Sequence, residues 1–506
     1  MLIRNILFRI SFLICDFTLY MIYIWELIII EGSAAVADSR VRINKVKLWN
    51  LKSVSYGEIN MKSADSLRQE KANIMGLYGQ NAAGKTVVIE ALAIIKHILS
   101  GEKIPPHYLD CISKGKDECT IEVEFSVVNE TLDIDCLVIY KCILSRRNDP
   151  SESNPKSIIM VTNERLRTRG MIYGENLNLH DIARADEYSM LVSPVKKCKV
   201  LFGSNKKDLI ELERQKIIAL YSSRSFIFST QAFKAIFQQA KSETNLIHHK
   251  SGKKLINSSY IFISLLRYYA QTLMMVINEQ TWDSIGMYII NNTKEDGIPI
   301  GLPLLDDYKF LATEAFIDDI KSILPNLNQV LSTLIPGLTI ECRYEKVSFD
   351  EGDKSYIIEF FSCRDGLGTF PFKNESLGIK KIVSIITLII EAYNNPSFTL
   401  VIDELDANIF EHLLGEIVDI MGTSGKGQLI FTSHNLRPLE RLSPQFIWFA
   451  TTNPENRYVQ MTKKASNNLR DMYLRAILLG HEDMELYNGE SKHSLSYVFR
   501  KMGRRN

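Results

Sequence analysis

The sequence predicts an α/β fold in which the strands of a sheet alternate with helices. A glycine-rich segment lies between a short apolar strand pattern, Ile74 to Tyr78, and an amphipathic helical pattern, Val87 to Leu99. After Asn374, helical and strand patterns alternate, which is typical of parallel strands joined by helical crossovers. Between about residues 208 and 330 the apolar spacing becomes helical, which predicts a helical insertion packed beside this domain.

The composition is that of an ordinary globular protein, because 46% of the 506 residues are hydrophobic and 24% are charged. The formal net charge of +1 indicates no general attraction to nucleic acid, so such binding would need a local patch. Eight cysteines occur without a Cys-x-x-Cys pair. This spacing argues against a structural zinc site or a disulfide framework and is typical of a reducing compartment, so we expect a cytoplasmic protein.

Residues 1–40 form an apolar N-terminal extension for which three interpretations stay open. The extension is sequence upstream of the true start, a weak membrane anchor or an additional helix. Its longest uncharged run, Phe17 to Trp25, is about half the length that spans a bilayer, so we expect no stable membrane insertion. The strand pattern of the folded domain begins at Val41. Charged residues interrupt the extension at Arg4, Arg9, Asp16 and Glu26.

Further apolar patterns give expectations for individual segments. Strand patterns cover Cys119 to Val128 and Leu132 to Leu144, and the polar stretch from Ser145 to Lys156 predicts an exposed loop. Within the helical insertion, the apolar run from Tyr260 to Ile277 predicts a helix.

The glycine-rich segment follows the pattern G-x-x-x-x-G-K-T of a phosphate-binding loop between a strand and a helix. Its two glycines let the backbone turn tightly, so that successive N–H groups point at an anion. Lys85 would reach the β- and γ-phosphates of ATP, and the Thr86 hydroxyl would ligate Mg2+. The segment consists of Gly79, Gln80, Asn81, Ala82, Ala83, Gly84, Lys85 and Thr86.

Two acidic residues, Asp403 and Glu404, end the apolar strand pattern Phe398 to Ile402. Ligands of such sheets bind at the carboxyl ends of the strands, where these side chains would be delivered. We expect Asp403 to hold Mg2+, directly or through water. Glu404 would orient and polarise the attacking water.

His434 follows the next apolar strand pattern, one helix after the acidic pair. That position suits a γ-phosphate sensor, although a lone histidine is more often a surface or core residue. Ser376 and Gly378 lie at the start of an apolar helix. They form either a second anion cradle or an ordinary N-cap with Ser376 as the capping residue.

The order of these motifs resembles that of the ATP-binding-cassette (ABC) ATPases, and within them the soluble SMC-like and OLD-like branch with an AAA-type core. The resemblance covers roughly Val41 to Leu144 and Leu338 to Thr462. It implies a P-loop NTPase fold of ABC-ATPase type with a mixed sheet, plus the helical insertion. The signature departs from the transporter form Leu-Ser-Gly-Gly-Gln, since it has Ser376 and Gly378 within Glu-Ser-Leu-Gly-Ile-Lys.

The resemblance implies a homodimer, or a higher homo-oligomer, in which two such domains enclose two ATP molecules. Ser376 and Gly378 of one chain would meet the γ-phosphate held by the other. Asp406 matches the loop that crosses the dimer interface. The chain then divides into an N-terminal extension (1–40), the first half of the ATPase domain (41–205), the helical insertion (206–335), the second half of the ATPase domain (336–465) and a helical tail (466–506).

These features predict an ATPase that uses ATP binding and hydrolysis as a conformational switch. The resemblance favours a role in anti-phage defence, in which the switch controls a separate effector protein, a nuclease or a toxin. The alternative is a DNA-repair or chromosome-maintenance ATPase of RecF or SMC type that acts directly on DNA. A scaffold that binds ATP without turnover is a third reading and requires Glu404 to be idle. Basic pairs such as Arg500-Lys501 and Arg504-Arg505 could contact nucleic acid, although a solvated chain end is favoured.

Overall fold

The computed structural model describes most of the chain as a mixed α/β protein. The helices are α1 (Ser63–Arg68), α2 (Lys85–Ser100), α3 (Val195–Phe202), α4 (Lys206–Tyr221), α5 (Thr230–Lys241), α6 (Ser258–Tyr268), α7 (Glu314–Leu334), α8 (Leu377–Asn394), α9 (Glu411–Ser424), α10 (Arg437–Arg441) and α11 (Lys492–Gly503). The described residues are 38–148, 157–188, 191–193, 195–241, 246–248, 254–256, 258–278, 287–290, 299–302, 310–347, 355–460, 470–471, 473–474 and 492–503.

The strands vary in length from long hairpin strands to short segments. They are β1 (Arg40–Leu51), β2 (Val54–Asn60), β3 (Asn73–Tyr78), β4 (Glu118–Asn129), β5 (Ile134–Asn148), β6 (Ser157–Ile172), β7 (Glu175–Asp186), β8 (Leu246–His248), β9 (Lys254–Ile256), β10 (Met274–Ile277), β11 (Met287–Ile290), β12 (Pro299–Leu302), β13 (Phe310–Thr313), β14 (Leu338–Val347), β15 (Ser355–Arg364), β16 (Gly368–Pro371), β17 (Thr399–Ile402), β18 (Gln428–Thr432), β19 (Ile447–Ala450) and β20 (Tyr458–Val459).

The chain forms two compact units. The first contains the described residues within Met1–Ile43, His97–Pro105 and Glu122–Gln271. Its strands β5, β6 and β7 pair antiparallel in chain order. Glu164 of β6 is buried and accepts hydrogen bonds from the hydroxyl of Ser225 at 2.6 Å and the amide of Phe226 at 2.8 Å. These bonds fix the loop before α5 to the sheet.

The second unit contains the described residues within Asn44–Lys96, Pro106–Ile121 and Thr272–Asn506. Its main sheet has the order β10-β17-β18-β3-β19-β20. All neighbouring pairs are parallel except the β19–β20 edge pair, which is antiparallel. Every residue of β3, β17, β18 and β19 is buried, as expected for parallel strands that helices cover on both faces.

Helix α8 supplies much of the apolar core of this unit. Its buried residues include Ile382, Val383, Ile385 and Leu388, which join one cluster with residues of β17 and β18. The smaller antiparallel sheet of β13, β15, β14 and β16 belongs to the same unit. No helix among the described residues is both long and apolar enough to cross a bilayer.

Three parts of the chain differ from their predicted structure, and one is the predicted helical insertion (206–335), which also contains the short strands β8 to β13. The run predicted as a helix from Tyr260 to Ile277 is helical only to Tyr268, continues as a short π-helix and ends as strand β10. β10 pairs in parallel with β17, so this part of the predicted insertion belongs to the main sheet. The loop predicted from Ser145 is strand up to Asn148, because β5 continues its pairing with β6 there.

Some predicted parts lie outside the described residues. These are almost all of the N-terminal extension, most of the helical tail including Arg504 and Arg505, and several stretches of the predicted insertion. Where the tail is described, α11 carries exposed Arg500 and Lys501.

Candidate nucleotide site

Three neighbouring parallel strands bring the predicted motifs to one edge of the main sheet. In the order β17-β18-β3, their carboxyl ends lead into Asp403, Ser433 and Gly79. The register pairs Ile402 with Phe431 and Thr432 with Leu77, so the three strands end almost level. The resulting cleft has a volume of about 440 Å³. It is lined by Asn81, Ala82, Lys85, Thr86, Asp403, Glu404, Thr432 and His434.

The glycine-rich segment forms a tight loop between β3 and α2. Gly79 has φ +148° and Gly84 has φ +94°, which are backbone conformations that residues with a Cβ atom rarely adopt. At Gly79, an added Cβ would also lie 2.7 Å from the carbonyl oxygen of Ala450. Helix α2 begins at Lys85, so its N-terminal N–H groups and positive dipole end face the cleft.

The ammonium group of Lys85 is held over this loop. Its Nζ donates hydrogen bonds to the carbonyl oxygens of Gly79 at 2.9 Å and Gln80 at 3.0 Å. Burial lowers the pKa of Lys85, and the negative charges of Asp403 and Glu404 oppose that shift. The cation lines the same cleft as both predicted acidic residues.

Asp403 is buried at the carboxyl end of β17, with 4% of its surface exposed. Its amide donates a hydrogen bond of 2.8 Å to the carbonyl of Ile277, the last residue of β10. Its Oδ1 accepts a hydrogen bond from the Thr432 hydroxyl. Thr432 lies two residues before His434 but had no predicted role, and only the pairing of β17 with β18 brings it next to Asp403.

Glu404 has an unusual backbone. Its φ of 49° lies in the left-handed region, which costs free energy for a residue other than glycine. Its amide donates to the Thr432 hydroxyl at 2.8 Å. Its carbonyl oxygen accepts from Lys381 Nζ at 2.6 Å and from the Ala407 amide at 3.0 Å. Lys381 follows the predicted signature in the sequence, but nothing in its spacing indicated this contact.

His434 reaches the cleft from the loop after β18. Burial lowers its pKa below the ordinary value of 6.5, and the nearby charge of Lys85 lowers it further. The imidazole is therefore neutral at pH 7 and can donate one hydrogen bond and accept another. Its backbone amide donates to Oδ2 of Asp406 at 3.0 Å, and the next amide, of Asn435, donates to the same oxygen at 2.9 Å.

Asp406 thus binds backbone groups of its own chain. Its Oδ2 accepts the two amides after β18, and its Oδ1 is buried without a hydrogen-bond partner among the described residues. Asp406 does not line the cleft. In this chain it connects the loop after β17 to the loop after β18.

Ser376 and Gly378 lie at the start of α8 and likewise do not line the described cleft. Ser376 is the N-cap, and its hydroxyl accepts a hydrogen bond from the Ile379 amide at 3.4 Å. A Cβ on Gly378 would lie 2.4 Å from the carbonyl oxygen of Asn408. Glycine is needed there because the helix approaches the loop after β17 so closely.

Glu375, directly before the N-cap, connects α8 to β15. Its side chain accepts hydrogen bonds from Arg364 Nε at 3.1 Å, Arg364 Nη2 at 3.0 Å and the Ser362 hydroxyl at 2.5 Å. Burial would raise the pKa of Glu375, but the hydrogen bonds from Arg364 and Ser362 outweigh it and lower the pKa below 4.5. Sequence patterns could not pair these residues, because only tertiary packing brings β15 next to the start of α8.

Tyr458 of β20 supports the glycine-rich loop, and its neighbour Arg457 lies beside that loop; the sequence analysis assigned neither residue. The Tyr458 hydroxyl donates to the carbonyl of Gly84 at 2.8 Å. Arg457 donates to the carbonyl of Thr451 at 2.8 Å and to the carbonyl of Ser53. Both side chains are buried. Tyr458 thus holds the end of the loop at Gly84, and Arg457 connects Thr451 to Ser53 next to it.

The donor set of the cleft fits Mg2+. The Thr86 hydroxyl and the Asp403 carboxylate offer hard oxygen ligands, which Mg2+ prefers. The described residues contain no cluster of three or more His, Cys, Asp or Glu side chains that could enclose a metal by themselves. Mg2+ commonly uses one or two protein oxygens and completes its coordination with waters and substrate phosphates, so two protein ligands are sufficient.

Comparison with known proteins finds similarity only among solved structures. No protein-family model and no curated protein matches the chain. The Thermotoga maritima SMC head domain has a TM-score of 0.35 and 13% identity, covering 83% of this chain and all (100%) of that one. An Smc head bound to the C-winged-helix domain of ScpA has a TM-score of 0.39 and 14% identity, covering 83% and 98%. An Smc head with an extended coiled coil, bound to a ScpA C-terminal domain, from Pyrococcus furiosus, has a TM-score of 0.40 and 13% identity, covering 83% and 96%. Similarity at this level does not reveal what the chain binds, so its own residues must indicate the function.

Proposed function

We propose that the chain binds and hydrolyses ATP with Mg2+ as cofactor, in a P-loop fold of ABC-ATPase type. The observation that carries this proposal is the shared cleft of the glycine-rich loop and the Asp403-Glu404 pair. Lys85 and Thr86 face these two acids although more than three hundred residues separate them in the sequence. A phosphate cradle opposite a buried carboxylate is the arrangement that phosphoryl transfer needs.

The parts of the cleft have separate chemical tasks. The loop amides and the Lys85 ammonium bind the β- and γ-phosphates. Thr86 and Asp403 would hold Mg2+, which supplies charge neutralisation at the phosphates. Glu404 orients and polarises the attacking water. Neutral His434 donates a hydrogen bond to the γ-phosphate and senses its presence.

We further propose that the chain acts as a homodimer, or a higher homo-oligomer, through this face. Leu377 is 68% exposed in the first turn of α8, and Phe410 is 74% exposed immediately before α9. Both flank the close contact between Gly378 and Asn408, so two large apolar side chains lie beside the predicted signature. Burial of such side chains in a partner would stabilise an assembly that closes over ATP.

The first experiment measures ATP binding and turnover by purified full-length chain. Lys85→Ala should weaken ATP binding about tenfold or more, because a charge-assisted contact to phosphate is lost. Glu404→Gln should retain binding but lower kcat about 10²-fold or more. Matched controls are Lys71→Ala and Glu70→Gln. They alter exposed residues just before the N-terminal end of β3, whereas the cleft lies at its carboxyl end. ATP turnover by Glu404→Gln at the wild-type rate would refute the hydrolysis proposal.

The second experiment tests the dimer. Glu404→Gln with ATP should elute as a dimer in size-exclusion chromatography with light scattering, because ATP persists in the site. Adding Phe410→Ser should restore the monomer while leaving ATP binding intact. The matched control is Ile420→Ser, which replaces an exposed apolar side chain on α9, the helix that follows Phe410. A monomer under all conditions would refute assembly through this face.

The ATP cycle is proposed to work as a conformational switch that controls a separate effector protein, a nuclease or toxin, in anti-phage defence. The support for this setting is the motif resemblance in the sequence. Direct action on DNA, as in a repair or chromosome-maintenance ATPase, is the competing proposal. DNA-stimulated ATP turnover would favour the second role, and ATP-dependent release or binding of an effector encoded by a neighbouring gene would favour the first.

We also propose a cytoplasmic location. The described cysteines are free thiols, and four of them, Cys111, Cys119, Cys136 and Cys142, are buried. Free cysteines are typical of a reducing compartment. Cell fractionation of a tagged chain tests this, and recovery in the membrane pellet would contradict it.

A further inference from the structure

Lys381 lies on the buried face of α8, five residues after the N-cap Ser376. Its side chain extends to the loop after β17, where Nζ donates a hydrogen bond of 2.6 Å to the carbonyl oxygen of Glu404. Only 8% of the lysine is exposed. A buried cation with a specific backbone acceptor beside the predicted catalytic carboxylate requires an explanation.

The acceptor is a residue whose backbone conformation needs support. Glu404 has the left-handed φ of 49°, a conformation that persists only where the surroundings hold it. Its amide is held by Thr432 at 2.8 Å and its carbonyl by Lys381 and by the amide of Ala407. The backbone dihedral angles of Glu404 set the direction in which its carboxylate points. Lys381 therefore helps to determine where that carboxylate lies.

Helix α8 contacts the same loop at a second place. Gly378 packs against the carbonyl of Asn408, where a Cβ would lie at 2.4 Å. The charges of Asp406, Glu404 and Asp403 attract the ammonium, although burial lowers the pKa of Lys381 to about 8. The start of α8 and the Glu404 loop are thus joined by one steric contact and one charged hydrogen bond.

We propose that Lys381 is a positioning residue that couples the start of α8 to the carboxylate of Glu404. A displacement of α8, when a phosphate or a partner subunit engages Ser376, would move Lys381 and reorient Glu404. Hydrolysis would then depend on the state of α8, and Lys381 would carry this dependence to Glu404 itself. This inference rests on the proposed ATPase activity.

The test compares Lys381→Met, Lys381→Arg and the wild type in ATP binding and in steady-state turnover. Lys381→Met should bind ATP within about twofold of the wild type while kcat falls about tenfold or more, since a charged hydrogen bond to the loop is lost. Lys381→Arg retains the charge and a donor, so it should recover part of the rate. Lys426→Met removes an exposed lysine just before the N-terminal end of β18, away from the cleft. It should leave ATP affinity and kcat unchanged.

A double variant separates positioning from general loss of structure. In the Glu404→Gln background, Lys381→Met should lower the residual single-turnover rate by less than about twofold, because both changes act through the same carboxylate. A further tenfold loss there would overturn the proposal. If Lys381→Met melts below the assay temperature, Lys381→Gln, which keeps a donor without the charge, replaces it and should lower kcat to an intermediate value.

The outcomes distinguish this inference from the proposed function. A wild type that does not hydrolyse ATP overturns both. An active wild type, an inactive Glu404→Gln and a fully active Lys381→Met overturn only the positioning role. Loss of ATP binding by Lys381→Met in a folded protein also overturns it, because the lysine would then act on the nucleotide rather than on Glu404.

Discussion

Tyr458 donates a hydrogen bond of 2.8 Å to the backbone carbonyl of Gly84, the second glycine of the phosphate loop. The tyrosine is buried at the edge strand of the main sheet, and its ring packs so closely on Gly57 that a Cβ there would lie 2.5 Å away. The loop that would bind phosphate is therefore held by a side chain contributed near the other end of the chain.

Tyr458→Phe should remove this hydrogen bond from the carbonyl of Gly84. We expect the free energy of unfolding to fall by about 0.5–1.5 kcal/mol and ATP affinity to fall severalfold, because the loop loses a support. Urea unfolding and nucleotide titration measure the two effects. Tyr497→Phe, which removes an exposed hydroxyl, should change neither. Unchanged affinity in Tyr458→Phe would show that the loop keeps its shape without this bond.

Thr432→Val removes the hydroxyl that connects the two predicted acidic residues. Its oxygen donates to Asp403 and accepts the Glu404 amide at 2.8 Å, so the valine leaves both groups without this partner. We expect kcat to fall about tenfold or more and the half-saturating Mg2+ concentration to rise, because Asp403 is less well oriented. Steady-state assays over a Mg2+ series measure both quantities.

The matched control is Thr423→Val. Thr423 is exposed on α9, and its hydroxyl donates to the carbonyl of Asp419 at 2.9 Å within the helix. It should leave the ATPase parameters unchanged. An equal effect of both substitutions would mean that Thr432 matters only for general stability.

Gly378→Ala places a methyl group where the structure has no room. The Cβ would lie 2.4 Å from the carbonyl oxygen of Asn408, so either the start of α8 or the loop after β17 must move. We expect a loss of about 1–3 kcal/mol in the free energy of unfolding and a lower kcat. Denaturant unfolding and turnover assays provide the measurement.

Gly422→Ala is the matched control, because Gly422 lies inside helix α9 and an added methyl group has ordinary space there. An added Cβ there meets its nearest neighbour, Leu442, at 3.4 Å. Because alanine is the better helix former, we expect the variant to be as stable as the wild type or more stable by about 0.5–1 kcal/mol. A wild-type kcat in Gly378→Ala would contradict the close packing described above.

Glu375→Gln should reveal a pH-dependent contribution to stability. The folded-state pKa of Glu375 lies below 4.5, so its ionised form, bound by Arg364, stabilises the fold above pH 4.5 and ceases to do so as the pH falls through the folded-state pKa. We expect the variant to lose about 1–3 kcal/mol at pH 7, and this difference to shrink below about pH 4. Urea unfolding at a series of pH values measures it.

Glu341→Gln is a suitable comparison, because Glu341 pairs with Arg343 at 3.2 Å while both side chains are more than half exposed. Exposed pairs contribute only about 0–1 kcal/mol, so this variant should be nearly neutral at every pH. A difference for Glu375→Gln that stays constant as the pH falls well below 4 would contradict the assigned ionisation.

The sequence predicted local structure well where a segment is determined by its own pattern. The apolar helix expected at Ser376 and Gly378 extends from Leu377 to Asn394, and the strand expected from Ile74 to Tyr78 begins one residue earlier. Uninterrupted apolar runs with clear ends leave few alternatives, since a buried strand or an amphipathic helix is the only way to place them.

Local pattern failed where pairing with a distant strand decided the conformation. The apolar run from Tyr260 to Ile277 satisfies a helical period, yet its last four residues pair with β17. The polar residues after Leu144 suggested a loop, but the Ser145 hydroxyl hydrogen-bonds with that of Thr162, and β5 continues beside β6. Neither partner can be identified from the segment itself.

By itself, the sequence determined which groups are candidates for chemistry: the glycine-rich loop with Lys85 and Thr86, the acids Asp403 and Glu404, and His434. Tertiary structure alone decided that they share one cleft, because strands distant in sequence lie side by side in the order β17-β18-β3. Tertiary structure also brings Lys381, Thr432 and Tyr458 into hydrogen-bonding contact with the acidic residues and the glycine-rich loop. These residues follow no spacing rule, since a polar side chain acquires its buried partner only when the chain has folded.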